Sequence, residues 1–318
     1  MSITTSQLAG RLFPAVPVPF GRDGALHEAA LKRYANWMAD HAIGGVAIWA
    51  HTGRGLRLTD ADLGRVITTW RSELPAESIV IAAAGPLPTV GQPDQVIARA
   101  RSMARRAADH RAAAILVHPP ASFRDHSHRD ELVLEYHARI AEIGLPLLLF
   151  YLYEAAGGIS YSPQVLAELL ARPEVLGIKI ATLDSVMTFQ DIAGVVKSQS
   201  TPKLVITGED RFLGYSLMCG AQAALIGMAA ACTAAQAELL HCYWAGQSER
   251  FLKLSAVVDD LAQATFKNPM DGYIQRMLWC LVHQGVIPIE AAHDPWGPSL
   301  DPEEFHRVGA VVKRLESC

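Results

Sequence analysis

Lysine is scarce in this chain of 318 residues, 7 against 21 arginines. A lysine inside an apolar strand is therefore a conspicuous event. An excess of charge of one sign is also lacking: 28 lysines and arginines meet 32 aspartates and glutamates, a formal net charge of -4. Without a basic surplus, no nucleic-acid partner is expected. Long hydrophobic runs are missing too. The longest, near Leu145–Tyr153 and Ala223–Ala235, fall short of the roughly 20 residues that cross a bilayer, so no membrane partner is expected. The opening residues Met1-Ser2-Ile3-Thr4-Thr5-Ser6 carry neither a basic nor an apolar leader segment. Cysteine is sparse and odd in number (Cys219, Cys232, Cys242, Cys280, Cys318), without a C-x-x-C pair. That usage fits reduced thiols in a cytoplasmic protein and not a disulfide framework.

What is present is core material. Half the residues are hydrophobic and 19% are charged, which excludes a disordered chain. Aromatics make up only 7%, while alanine runs such as Ala82-Ala83-Ala84 and Ala229-Ala230-Ala231 recur. Small apolar residues in that quantity suit helices packed closely on strands.

Short apolar runs alternate with longer amphipathic segments. The expected strands are Phe13–Val18, Gly45–Trp49, Ile79–Ala84, Ala113–Val117, Pro146–Tyr151, Leu176–Ile180, Leu204–Ile206 and Ala223–Ile226. Continuous apolar runs, as opposed to alternation, mark parallel strands buried on both faces. Eight of them, each followed by a helical pattern, spell an α/β protein with a (β/α)8 TIM barrel over residues 1–230. Residues 231–318 carry helical patterns (Thr233–Ala245, Gln247–Gln263, Asp271–Gln284, Pro302–Leu315) and no strand signal, which predicts a C-terminal helical extension.

Chemistry in such a barrel sits just past the C-terminal ends of the strands. That rule selects Ala50-His51-Thr52-Gly53-Arg54, His118-Pro119-Pro120, Tyr151-Leu152-Tyr153-Glu154, Gly177-Ile178-Lys179-Ile180 and Gly208-Glu209-Asp210. Lys179, between two isoleucines, is the sharpest of these. Burial disfavours the ammonium form and makes the amine a nucleophile near neutral pH. A structural lysine paired with Glu209 or Asp210 would give the same pattern. Tyr151 closes the neighbouring strand, where a phenol could carry protons for that amine or simply pack its ring. Thr52 and Gly53 form a tight turn able to hold a carboxylate, or an ordinary loop.

Together these residues resemble the dihydrodipicolinate synthase/N-acetylneuraminate lyase family. The resemblance begins at Phe13-Pro14-Ala15-Val16-Pro17-Val18-Pro19-Phe20 and includes the T-G loop, the segment from Tyr151 to Gly158, Gly177-Ile178-Lys179, Gly208-Glu209-Asp210 and Asn268-Pro269. The 28-residue step from Tyr151 to Lys179 is its most specific part. The resemblance implies a Schiff-base-forming lyase on pyruvate or a 2-keto acid. Lys179 would form the imine and Tyr151 would relay protons. Thr52 and Gly53 would hold the substrate carboxylate, and Leu225 would face the bound keto acid. It implies no metal or organic cofactor, only the covalent imine on Lys179, and a homo-oligomer, tetramer or dimer.

The departures are informative. His51 stands where the family has a threonine that supports the relay, Arg54 where it has a glutamate, and Ala156 where dihydrodipicolinate synthases carry the arginine for the second substrate. Pro120-Ala121 replace a tyrosine pair that reaches across a subunit interface. These changes predict imine chemistry but not true dihydrodipicolinate synthase activity. His118, Tyr153, Glu154 and Arg54 are then expected to shape the pocket for another 2-keto acid. Two competing readings remain open: a non-catalytic keto-acid-binding barrel, and a metal-dependent barrel hydrolase using Asp125-His126-Ser127-His128.

Overall fold

A computed structural model describes residues 3–86 and 92–316. Its strands are β1 (Leu12–Pro14), β2 (Gly45–Ile48), β3 (Ile79–Ala84), β4 (Ala114–Val117), β5 (Leu147–Leu152), β6 (Val175–Ala181), β7 (Leu204–Thr207) and β8 (Ala223–Ile226). All pair in parallel, in the order β1-β8-β7-β6-β5-β4-β3-β2. An Ala15–Ala47 bridge, with Val16 N–H donating to the Ala47 carbonyl at 3.1 Å, joins the two ends of that order. The chain is a TIM barrel. Its strands are apolar almost throughout because both faces are covered, and all six residues of β3 are buried.

The helices are α1 (Thr5–Leu8), α2 (Glu28–Ala39), α3 (Asp60–Glu73), α4 (Pro93–Asp109), α5 (Arg129–Ala141), α6 (Pro163–Ala171), α7 (Val186–Lys197), α8 (Leu213–Met218), α9 (Thr233–Trp244), α10 (Ser248–Thr265), α11 (Tyr273–His283) and α12 (Glu303–Glu316). Their starts follow local chemistry. The hydroxyls of Thr59 and Ser162 accept the Asp62 and Val165 N–H groups, capping α3 and α6. The short α1 has no apolar period to announce it. It is closed by Thr4, whose N–H donates to Gln7 Oε1 at 3.0 Å. The first strand is shorter than the expected Phe13–Val18 because Pro14, Pro17 and Pro19 have no N–H to continue a ladder.

The segment after β8 packs on the barrel through α9 against β1 and α10 against α8. Arg276, fully buried, ties it together. Its guanidinium donates to Glu304 at 2.6 Å on α12 and to the carbonyls of Thr265, Lys267 and Pro269. Buried side chains from barrel and extension form one continuous core. Cys219, Cys232, Cys242 and Cys280 are free thiols, and Cys318 lies outside the described residues.

Candidate active site

Lys179 lies near the C-terminal end of β6 and is 6% exposed. The register pairs it with Phe150 of β5, and paired residues in a parallel sheet share a face. Its ammonium nitrogen sits 4.1 Å from the centroid of the Phe150 ring. The side chain leans over Gly208 at the end of β7, where a Cβ would stand 2.6 Å from Lys179 Cε. A glycine at that point is what lets the lysine lie there.

Two carboxylates border the amine. Glu209 accepts the Thr182 and Leu183 N–H groups at 2.7 and 2.8 Å, fixing the turn after β6. Asp210 accepts the Met228 N–H at 2.7 Å, fixing the turn after β8. Burial raises both acids to about 7, and it lowers Lys179 to about 8 against the charges of Asp210 and Glu209. Every member of the cluster is thus pushed toward its neutral form, and an unprotonated amine is available near neutral pH.

The turn after β2 supplies the opposite wall. Thr52 Oγ1 lies 2.9 Å from the hydroxyl of Tyr273, the first residue of α11, and His51 Nδ1 lies 3.1 Å from the same hydroxyl. The Tyr273 ring stacks on Phe266 at 4.5 Å. His51 Nε2 is 3.3 Å from Asp271. Burial works to raise the Asp271 carboxyl, but the His51 hydrogen bond and the Arg54 charge outweigh it and hold the group at about 2. Arg54 is buried in a left-handed turn (φ 52°). It donates to Asp294 at 2.6 Å and to Asp271 at 3.0 Å. It therefore clamps the β2 turn to the C-terminal extension, with all three guanidinium nitrogens engaged.

Between these walls lies a cleft of about 360 Å³. His51, His118, Phe150, Leu152, Ala156 and Arg57 are among its lining residues. His118 is pushed down to about 3 by burial, helped by the neighbouring His51, His137 and Lys179, so it is a neutral imidazole. Arg57 is exposed and forms no ion pair among the described residues.

Of the residues expected from sequence, His51, Arg54 and His118 line the cleft, Lys179 lies behind it against Phe150, Thr52 and Gly53 belong to the same β2 turn as His51, and Tyr153 is close enough to Asp271 to feel its charge. Tyr153 is buried enough to push its phenol up, with Asp271 and Asp210 adding to that shift. The Gly53 N–H is already donated to the Ala50 carbonyl at 3.0 Å. Leu225 is fully buried in β8, paired with Phe13. Tyr151 is not brought to Lys179. It pairs with Ile180, one residue along, and so faces the other side of the strand, where its hydroxyl lies 3.3 Å from Ser160 Oγ. Phe150 takes the place expected for the phenol. Glu154 is likewise directed away from the cleft, 3.7 Å from Arg124 and largely exposed. His126 and His128 sit in an exposed loop before α5, where the His128 N–H donates to His126 Nδ1. No group of three potential metal ligands occurs among the described residues. Sequence reasoning missed Phe150, Arg57, Asp271 and Tyr273. Asn268-Pro269, just before the last two, was the nearest signal.

Residues 8–314 match the dihydrodipicolinate synthetase family. A 4-hydroxy-tetrahydrodipicolinate synthase of Xanthomonas axonopodis pv. citri (strain 306) is 26% identical over 297 residues, 89% of this chain and 91% of that protein. The counterpart from Stenotrophomonas maltophilia (strain R551-3) is 26% identical over 66% of this chain, and the match spans 65% of that protein's length. Among solved structures, N-acetylneuraminate lyase from Mycoplasma synoviae superposes with a TM-score of 0.75 at 21% identity, over 99% of this chain and 100% of that one, a likeness of fold. The family match runs through every strand of the barrel and on to α12, so the chain belongs to the dihydrodipicolinate synthetase family.

Proposed function

We propose that the protein is a class I lyase that binds a 2-keto acid as an imine on Lys179 and breaks or forms a carbon–carbon or carbon–oxygen bond next to it. The observation that carries this reading is the amine itself: a buried lysine, lowered to about 8, lying 4.1 Å from the Phe150 ring that lines a small cleft. Its unprotonated nitrogen attacks the C2 carbonyl, one proton is taken up from solvent, water leaves, and a protonated imine results. That imine draws electrons from C3, so a bond there can break with the pair held as an enamine. No metal or organic cofactor is needed for that step. His118, neutral beside the amine, can hydrogen-bond the substrate without adding charge.

True dihydrodipicolinate synthase activity is disfavoured. Ala156 brings a methyl group to the cleft where that activity calls for a carboxylate-binding arginine, and a charge-assisted hydrogen bond is worth roughly 1.5–3 kcal/mol. Arg57 supplies a cation elsewhere on the rim, which suits a 2-keto acid with a second anionic or strongly polar end. We further infer a cytoplasmic homo-oligomer, dimer or tetramer, which sedimentation would test.

The experiment is cyanoborohydride reduction in the presence of pyruvate, followed by mass spectrometry. The expected result is a permanent adduct on Lys179 that is absent in Lys179→Arg. No adduct with pyruvate or with several 2-keto-3-deoxy acids would overturn the proposal.

A further inference from the structure

The strand residue that faces the lysine is a phenylalanine, so β5 offers no hydroxyl for moving protons. Another phenol lies against His51, which lines the cleft. Tyr273 comes from the start of α11, 221 residues along the chain from Thr52, and is buried with its hydroxyl between Thr52 and His51. It shares neighbours with the amine along the turn after β8. Gly227 would, if given a Cβ, touch Thr52 Oγ1 at 3.1 Å and Tyr273 Cε2 at 3.2 Å. The adjacent Met228 N–H is held by Asp210, whose charge acts on both Lys179 and Tyr273.

The direction of the hydrogen bonds is fixed from the solvent end. Asp271 is a carboxylate at all ordinary pH, so His51 Nε2 carries a proton toward it. His51 Nδ1 is then the acceptor of the Tyr273 O–H, and Thr52 O–H donates to the Tyr273 oxygen. The result is a phenol–imidazole–carboxylate chain, the same logic that activates a hydroxyl nucleophile through a base held by an acid. It runs from buried Thr52 to Asp271, whose side chain is 45% exposed.

We propose that Tyr273, through His51 and Asp271, is the acid–base group for the imine on Lys179, delivered within one subunit by the C-terminal extension. This rests on the imine reading above. In the step, the C3–H proton of the imine passes to the Tyr273 oxygen while the Tyr273 proton passes to His51 Nδ1. The C3–H electron pair becomes the C2=C3 bond, and the C=N π pair returns to nitrogen. The new imidazolium faces Asp271. Reversal returns a proton, and in heavy water a deuteron, to C3. His51 and Asp271 are positioning residues. The charged or titratable groups facing the relay are Asp271, Arg54, Asp210, Tyr153 and His118.

The test separates imine formation from proton transfer. Wild-type protein is incubated with pyruvate in heavy water. Cyanoborohydride trapping is measured by mass spectrometry, and loss of the pyruvate methyl signal by proton NMR. In Tyr273→Phe, which keeps the stacked ring, trapping should stay within about threefold of wild type while C3 exchange falls by 100-fold or more. His51→Gln should behave in the same way. Tyr151→Phe should change neither. A wild type that traps no adduct would sink the imine reading itself. Normal trapping with wild-type exchange in Tyr273→Phe would overturn the relay, as would loss of exchange in Tyr151→Phe alone. If Tyr273→Phe loses trapping as well, His51→Gln decides: normal exchange in it refutes the relay.

Discussion

The narrowest fit in the site is the one between Lys179 and Gly208, and it gives a test with a calculable size. In Gly208→Ala the new Cβ would stand 2.6 Å from Lys179 Cε, 2.9 Å from the Ile180 carbonyl oxygen and 3.1 Å from Ala181 Cβ. Ordinary contact begins at 3.4 Å, so the lysine must move by about 0.8 Å and the backbone must give by about half an ångström. Gly208 has no left-handed backbone, so sterics alone set the cost. Overpacking of this kind costs about 1–3 kcal/mol. Misplacing a reacting group by about 1 Å slows chemistry by on the order of 100-fold. The variant should therefore melt a few degrees lower and trap pyruvate with cyanoborohydride about 100 times more slowly. Gly64→Ala is the control: it lies in α3 with nothing within 4 Å of its Cβ, so it should gain roughly 0.5–1 kcal/mol and trap normally. A Gly208→Ala protein with wild-type melting and trapping would refute the placement of the lysine over that glycine.

Arg54→Ala should cost roughly 3–5 kcal/mol, because it leaves Asp294 buried without its partner; chemical denaturation would read the loss. Trapping should speed up as pH rises toward about 8 and then level, since the unprotonated amine is the nucleophile. The same lowered value has a stability consequence. Between about 8 and the ordinary 10.5 the unfolded lysine binds the proton that the folded one has released, so stability should rise with pH across that window. Lys179→Met should flatten that slope, measured by denaturation at several pH values. Arg57→Ala should raise KM for 2-keto acids with a second anionic group severalfold while leaving that for pyruvate nearly unchanged.

The barrel was readable because buried parallel strands are apolar on both faces, so strands such as Ile79–Ala84 stand out without any periodicity. Lys179 was readable for the same reason, as a charge in such a run. The phenol was not. Counting 28 residues back from Lys179 reaches Tyr151, but a strand turns its side chains over at every step, and a one-residue slip changes which one enters the barrel. Only the pairing of Lys179 with Phe150 settles that choice. Tyr273 was out of reach for a different reason. Nothing local marks it, since its partners at Thr52 and His51 lie more than two hundred residues earlier.

That separation has a consequence in time. The clamp between Arg54 and Asp294 joins residues 240 positions apart. A chain made at roughly 5–20 residues per second needs about 12–48 s to produce the second partner after the first. Within that interval, between the making of residue 179 and that of residue 273, the nascent chain holds its lysine but lacks the tyrosine and the C-terminal helices that seat it. Closing so long a loop comes late in folding. Proton transfer at C3 should therefore report completion of the last helices, and a chain stalled after the eighth strand should form at most an idle imine.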